Sequence, residues 1–229
     1  MRDSVRWLCP MMGITSLLPG PANLAAQQGT VSGTVIVWQK GDRQARDVGS
    51  AVVWLDGEGV DAPAPDSVVV LTEGKEFRPR VSVITVGSTV VFPNGDPFNH
   101  NVFSLSPEGP FDLGLYGRGT LRSTSFRRPG LIRVYCNVHA SMSAFVLVLA
   151  TPFHSRPAAD GTFRLAAVPP GRYVLKAWHE RADAVAERAI VVPADGLAGL
   201  RLEVDAREFK EVTHLNKFGQ PYRAVGRRY

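Results

Sequence analysis

No stretch of this chain sustains the 3.6-residue period of an amphipathic helix. What recurs instead are short, valine-rich apolar runs punctuated by 22 glycines and 17 prolines. Runs of that length, rich in β-branched residues and bounded by turn formers, read as strands, so the expected architecture is all-β. Strands are expected over Gly29–Trp38, Ser50–Leu55, Val68–Leu71, Arg80–Thr85, Thr89–Phe92, Leu131–Tyr135, Phe145–Leu149, Thr162–Leu165, Arg172–Trp178, Ala189–Val192 and Leu200–Val204. A chain of 229 residues has room for one large or two small domains.

Two of these runs bracket the most informative stretch. Leu131–Tyr135 leads into Cys136-Asn137-Val138-His139-Ala140-Ser141-Met142, and Phe145–Leu149 leads out. A thiol, an imidazole and a thioether at the spacing Cys-x-x-His-x-x-Met therefore share one turn between two strands. About thirty-six residues upstream, a turn-rich loop from Phe92 to Asn99 delivers a second imidazole, His100, at a strand start. Two imidazoles, a thiolate and a weak thioether are the donor set of a mononuclear type 1 (blue) copper site. A thiolate stabilises both copper oxidation states, imidazoles suit both, and a thioether favours the reduced ion. Taken singly, each residue has an ordinary reading, since a lone buried cysteine usually behaves as a small hydrophobe. The order of donors, their flanking strands and the His100-Asn101 pair together favour the metal.

At these residues the chain resembles the cupredoxins, the plastocyanin- and amicyanin-like blue copper family. The likeness rests on Phe77-Arg78-Pro79, on Val86 to Asn94, on His100-Asn101-Val102-Phe103 and on the ligand loop, whose length is that of amicyanin. It covers roughly Asp66 to Ala150. It implies a Greek-key β-sandwich with His100, Cys136 and His139 as equatorial ligands of one copper ion and Met142 as the axial one. It also implies that Asn101 steadies the loop around Cys136. Phe111-Asp112-Leu113-Gly114-Leu115-Tyr116, Cys136 to Ala144 and Trp178-His179-Glu180 further resemble bacterial proteins labelled methylamine-utilisation proteins. The segment Pro107 to Gly119 reads as a loop insertion with Phe111 and Tyr116 available to cover the site.

Beyond Ala150 the pattern changes. Asp160-Gly161-Thr162-Phe163 and Val168-Pro169-Pro170-Gly171-Arg172-Tyr173 resemble a carboxypeptidase regulatory-like, or transthyretin-like, β-sandwich. Alone this part supplies about four strands, few for an independent sandwich. The strands before Asp56 either complete that module, with the cupredoxin-like part inserted between its halves, or extend the cupredoxin-like sheet. The expected layout is a signal over residues 1–26, N-terminal strands over 27–62, a cupredoxin-like domain over 66–150, a smaller transthyretin-like module over 151–206 and a tail over 207–229.

Arg2 and Arg6, the apolar core Trp7 to Leu18 and the small residues of Ala22 to Ala26 read as a secretory signal, too short to span a membrane. Its removal takes Cys9 and leaves Cys136 as the sole cysteine. An oxidising compartment normally pairs its cysteines, so an unpaired thiol there is a liability unless buried or metallated. The net charge of +5 is spread along the chain without a basic stripe, which argues against nucleic acid. No nucleophile elbow, three-histidine copper centre or zinc-peptidase motif is found, so no enzyme is expected. His179 is expected to be a hydrogen-bonded structural histidine. The reading is a periplasmic or secreted electron carrier with one copper ion and a protein redox partner, without membrane insertion once the signal is removed. The short ligand loop is expected to bring a ring edge of His139 to the surface as the electron port. Copper storage or delivery, or a metal-free contact module, are the alternatives.

Overall fold

The computed structural model describes residues 28–57, 60–210 and 213–222. The expected secretory signal lies outside them. In chain order the strands are β1 (Gly29–Gln39), β2 (Arg43–Gln44), β3 (Val52–Gly57), β4 (Ser67–Val69), β5 (Leu71–Glu73), β6 (Glu76–Arg78), β7 (Val81–Thr85), β8 (Thr89–Pro93) and β9 (His100–Ser104). They continue as β10 (Phe111–Tyr116), β11 (Leu121–Ser125), β12 (Gly130–Cys136), β13 (Ser143–Leu149), β14 (His154–Ser155), β15 (Thr162–Val168), β16 (Gly171–Trp178), β17 (Ala186–Val192) and β18 (Leu197–Ala206). The chain is all-β, as its sequence implies, and among the described residues no helix is long and apolar enough to cross a membrane.

The strands form two nested sets. In one sheet β1 lies between β15, antiparallel, and β18, parallel, and in its companion β3 lies between β14 and β16, with β17 at the edge. The two ends of the chain thus build one sandwich together, around Val31, Val35, Val37, Val53, Leu55, Leu165, Leu175 and Leu202. Of the two pairings that the sequence leaves open for the N-terminal strands, hydrogen bonding joins them to the C-terminal ones. The intervening strands make a five-stranded sheet, β10-β9-β12-β13-β7, facing β11-β8-β4, with β5-β6 as a separate hairpin. Among the described residues no strand of one set pairs with a strand of the other.

Close backbone approach sets one position in the first sandwich. At Gly33 the parallel register of β1 on β18 shifts, and an added Cβ would stand 2.2 Å from the Leu200 carbonyl oxygen. That obstacle is backbone, which cannot swing aside as a side chain can. Gly33→Ala is therefore expected to destabilise the fold by about 1–3 kcal/mol, read as a lower urea midpoint at unchanged slope.

Phase explains where the apolar residues of β12 and β13 go. Ile132, Val134 and Cys136 alternate onto one face and pack with Ala144, Val146 and Val148 of β13 inside the second sandwich. The other face of β13 does not meet water: Leu147 and Leu149 join the core of the first sandwich. This double burial is why Phe145–Leu149 is a continuous apolar run rather than an alternating one. Between the sandwiches, Phe145 and Trp178 rings lie 5.2 Å apart, Arg156 donates to the Val81 carbonyl at 2.8 Å, and Arg80 pairs with Glu180.

One expectation fails here. The segment read as a loop from Pro107 to Gly119 contains β10, an edge strand paired with β9. Its register shifts between Asp112 and Leu115, where Gly114 has a φ of 71°, so the two-residue alternation is broken and invisible in the sequence. Phe111 packs with Phe92 and Phe126 in the core, and Tyr116 is buried.

Candidate metal centre

β12 and β13 are joined by a tight connection that carries three of the four candidate donors. The Cys136 amide donates to the Met142 carbonyl at 3.3 Å, and the Met142 amide to the His139 carbonyl at 3.1 Å. Because Cys136 is in phase with Ile132 and Val134, its thiol points into the second sandwich. His100 opens β9, the neighbour of β12, so its ring reaches the same point from the side.

The donor atoms converge. The Cys136 Sγ lies 3.5 Å from His100 Nδ1 and 3.7 Å from His139 Nδ1. All three ligand atoms are within 4.8 Å of one another. A metal about 2.1 Å from nitrogen and about 2.3 Å from sulfur, at roughly tetrahedral to trigonal angles, separates such donors by about 3.6 Å. The residues present therefore fit a shared metal ion. Met142 is buried in the same apolar cluster as Cys136. His100 and Cys136 are fully buried, while His139 is half-buried beside Val138, which is 44% exposed.

The surroundings favour a thiolate. Burial alone raises the Cys136 thiol, but the His100 ring and the backbone N–H groups of Asn101, Val138 and His139 outweigh it and hold the group below its ordinary value. One such contact, Val138 N–H to Sγ, measures 3.4 Å. Burial also lowers His100, yet the neighbouring Cys136 and Asp96 raise it above the usual imidazole value. His139 goes the other way, lowered by burial and then by His100 and Lys75.

Behind His100 stands a residue the sequence reading missed. Its Nε2 lies 2.9 Å from the Asp96 carboxylate, so the Nε2–H donates and Nδ1 is left facing the cysteine. Asp96 is itself held on three sides. It accepts from the Gly74 N–H at 2.8 Å and the Lys75 N–H at 3.0 Å, and its own amide donates to Asn94 Oδ1 at 2.9 Å. Burial would raise this carboxyl, but the Lys75 and Gly74 amides and His100 bring it below the usual range. Gly74 and Lys75 both have positive φ (65° and 59°), which turns successive N–H groups toward one anion. Asp96 lies four residues before His100 in a turn-rich loop, where an aspartate is also an ordinary turn former.

Around the donors, one expectation differs and others are given their contacts. The ring against both histidines is Phe98, 5.3 Å from each, rather than Phe111. Asn101 supports the loop through its backbone, whose carbonyl accepts the Asn137 N–H at 2.8 Å, while its side chain donates to Asp112 at 2.6 Å. His179 lies apart, fully buried, with Nδ1 accepting the Arg181 N–H at 3.2 Å. The tail, undecided from sequence, reaches the site. Tyr222 donates its O–H to the Cys136 carbonyl at 2.8 Å, and burial together with the adjacent Cys136 pushes its phenol up to about 12.

No protein-family model matches the chain, and no curated protein does. Solved structures resemble part of it. A copper-containing nitrite reductase from Thermus scotoductus SA-01 aligns at 30% identity over 41% of this chain, with a TM-score of 0.35. A reduced tryptophan-to-tyrosine variant of amicyanin aligns at 20% identity over 42% of this chain and 98% of its own, also with a TM-score of 0.35. A Cu(I) methionine-to-alanine variant of amicyanin gives 17% identity with the same coverage and the same TM-score. The chain spans only 25% of the nitrite reductase's length.

Proposed function

We propose that this chain is a cell-envelope electron-transfer protein whose residues 66–150 form a cupredoxin unit holding one copper ion. The observation that carries this reading is the convergence of a buried thiol and two imidazole nitrogens within 4.8 Å of one another. His100, Cys136 and His139 would hold the ion, and the Met142 thioether would be a weaker fourth donor. Bound there, copper supplies one-electron exchange between Cu(I) and Cu(II). The chain's own residues do the rest. Asp96 fixes the tautomer of His100, and backbone N–H groups stabilise the Cys136 thiolate. Three ligands on one hydrogen-bonded turn resist rearrangement, and the two-sided burial of β13 adds rigidity. A held geometry is what an electron carrier needs, and nothing in it requires a substrate pocket, so the role is non-enzymatic.

His139 is the ligand nearest solvent, and Val138 beside it offers a small apolar contact for a transient redox partner. The remaining strands form the accessory transthyretin-like sandwich, split in the chain by the copper unit. The secretory signal read in residues 1–26 supports a location in the periplasm or outside the cell.

Adding Cu(II) to the purified chain is expected to produce an intense thiolate-to-copper charge-transfer band in the visible spectrum, abolished in Cys136→Ser. Weak binding without that band would overturn the reading. A site that accepts Cu(I) alone, reversibly, would point to copper storage or delivery.

A further inference from the structure

The tail lies across the ligand loop and grips it at several points. Tyr222 donates to the Cys136 carbonyl at 2.8 Å, the Lys217 N–H donates to Asn137 Oδ1 at 2.9 Å, and the His214 ring lies with Nε2 3.3 Å from the His139 carbonyl and Nδ1 2.8 Å from the Leu215 carbonyl. The His214 ring stacks on Tyr135 at 4.4 Å and meets Tyr222 edge-on at 5.4 Å. The Lys217 ammonium pairs with Asp112 at 2.7 Å, and Asp112 holds the Asn101 side chain. These partners are 75 to 105 positions apart in the chain. The tail follows β18, so the sandwich that holds no ligands reaches over and closes the one that does.

We propose that residues 213–222 are a retaining strap for the metal centre, in which Tyr222, Lys217 and His214 position the ligand loop so that the ion leaves only when the strap lifts. The reasoning is geometric. Cys136, Asn137 and His139 sit on a short turn, and the tail adds hydrogen bonds to those the turn makes within itself. Releasing an ion from a buried thiolate and a buried imidazole requires that turn to open. Each strap contact takes a loop carbonyl or amide group that opening would have to expose, and the contacts break together because they lie on one segment of ten residues (213–222). This inference rests on the copper reading for its metal, but the strap's grip on the loop is measurable without it.

The variants are Tyr222→Phe, which removes a single O–H, His214→Ala, and the double variant. In the metal-free full-length chain, the amides of Asn137 and Met142 are expected to exchange with solvent at least about tenfold faster in the double variant, with an unchanged melting temperature. In the copper-loaded chain, excess chelator is expected to strip the ion at least about tenfold faster from the double variant, while its charge-transfer band keeps its position. Tyr222→Phe should fall between, as the milder change. Wild-type amide exchange rates in the metal-free double variant would overturn the strap. A wild-type chain that shows no charge-transfer band while its double variant shows the faster exchange would overturn the copper reading and leave the strap as a loop clamp. Faster exchange in a copper-binding variant that releases the ion at the wild-type rate would overturn retention.

Discussion

Deleting residues 29–56 is expected to unfold strands that lie more than a hundred positions away. β1 is the interior strand of its sheet, between β15 and β18, and β3 is interior between β14 and β16. Their removal leaves two sheets without a middle. It also removes Val31, Val35, Val37, Val52, Val53, Trp54 and Leu55, all buried in one core. At about 1.5–3 kcal/mol for each such side chain, the loss is roughly 10–20 kcal/mol, comparable to or above the whole stability of an ordinary domain, about 5–15 kcal/mol. The expected result is loss of the cooperative urea transition of the C-terminal strands. Conversely, the chain leaves and re-enters this sandwich at adjacent points: the Leu55 N–H donates to the Phe153 carbonyl at 3.0 Å, and His154 pairs with Trp54. Adjacent ends are what lets a host sandwich carry an inserted unit without strain. A deletion variant whose C-terminal half still unfolds cooperatively, with an undiminished urea slope, would show that β1 and β3 are dispensable and the nested arrangement mistaken.

Replacing Asp96 by asparagine is expected to weaken copper binding by about 10–100-fold, the usual consequence of losing the partner that orients a ligating histidine. The substitution keeps the shape and removes the charge. In the native chain the carboxylate faces only donors: two backbone N–H groups and the His100 Nε2–H. An amide must turn its own NH2 toward one of them, so donor meets donor in a site with almost no access to water. If His100 yields, its proton moves to Nδ1, the nitrogen facing Cys136, and the ligand is blocked. Losing the carboxylate also makes the imidazole a poorer electron donor, which favours reduced over oxidised copper and should raise the reduction potential. Competition against a chelator of known affinity measures the first effect, and voltammetry the second. Affinity and potential both equal to wild type would mean that Asp96 merely closes the β5-β6 turn.

Some of this was legible before any coordinates. The donors Cys136, His139 and Met142 share a loop whose flanking runs announce strands, and the thiol's inward direction follows from its phase with Ile132 and Val134. Local periodicity and donor order are carried by neighbouring residues, so they survive in a one-dimensional reading. Strand boundaries were less secure. Val68–Leu71 reads as one strand but divides at Val70, because Ser67–Val69 runs parallel to β8 whereas Leu71–Glu73 pairs with β6. β10 escaped notice because the Gly114 bulge shifts its alternation midway.

What the tertiary structure decided are pairings between groups far apart in the chain. An apolar alternating strand such as β1 specifies that one face is buried, but not which edges will flank it, and β15 and β18 are chosen only when both sheets close over a common core. Nothing local to His214, Lys217 and Tyr222 marks them as neighbours of Cys136, Asn137 and His139, because those contacts are a property of where the tail comes to rest. By itself the sequence determined the class of fold and which residues are candidate donors, since both depend on short-range order along the chain. The tertiary structure alone decided which residues of the tail come to lie against them, because those contacts form only after distant parts of the chain have met.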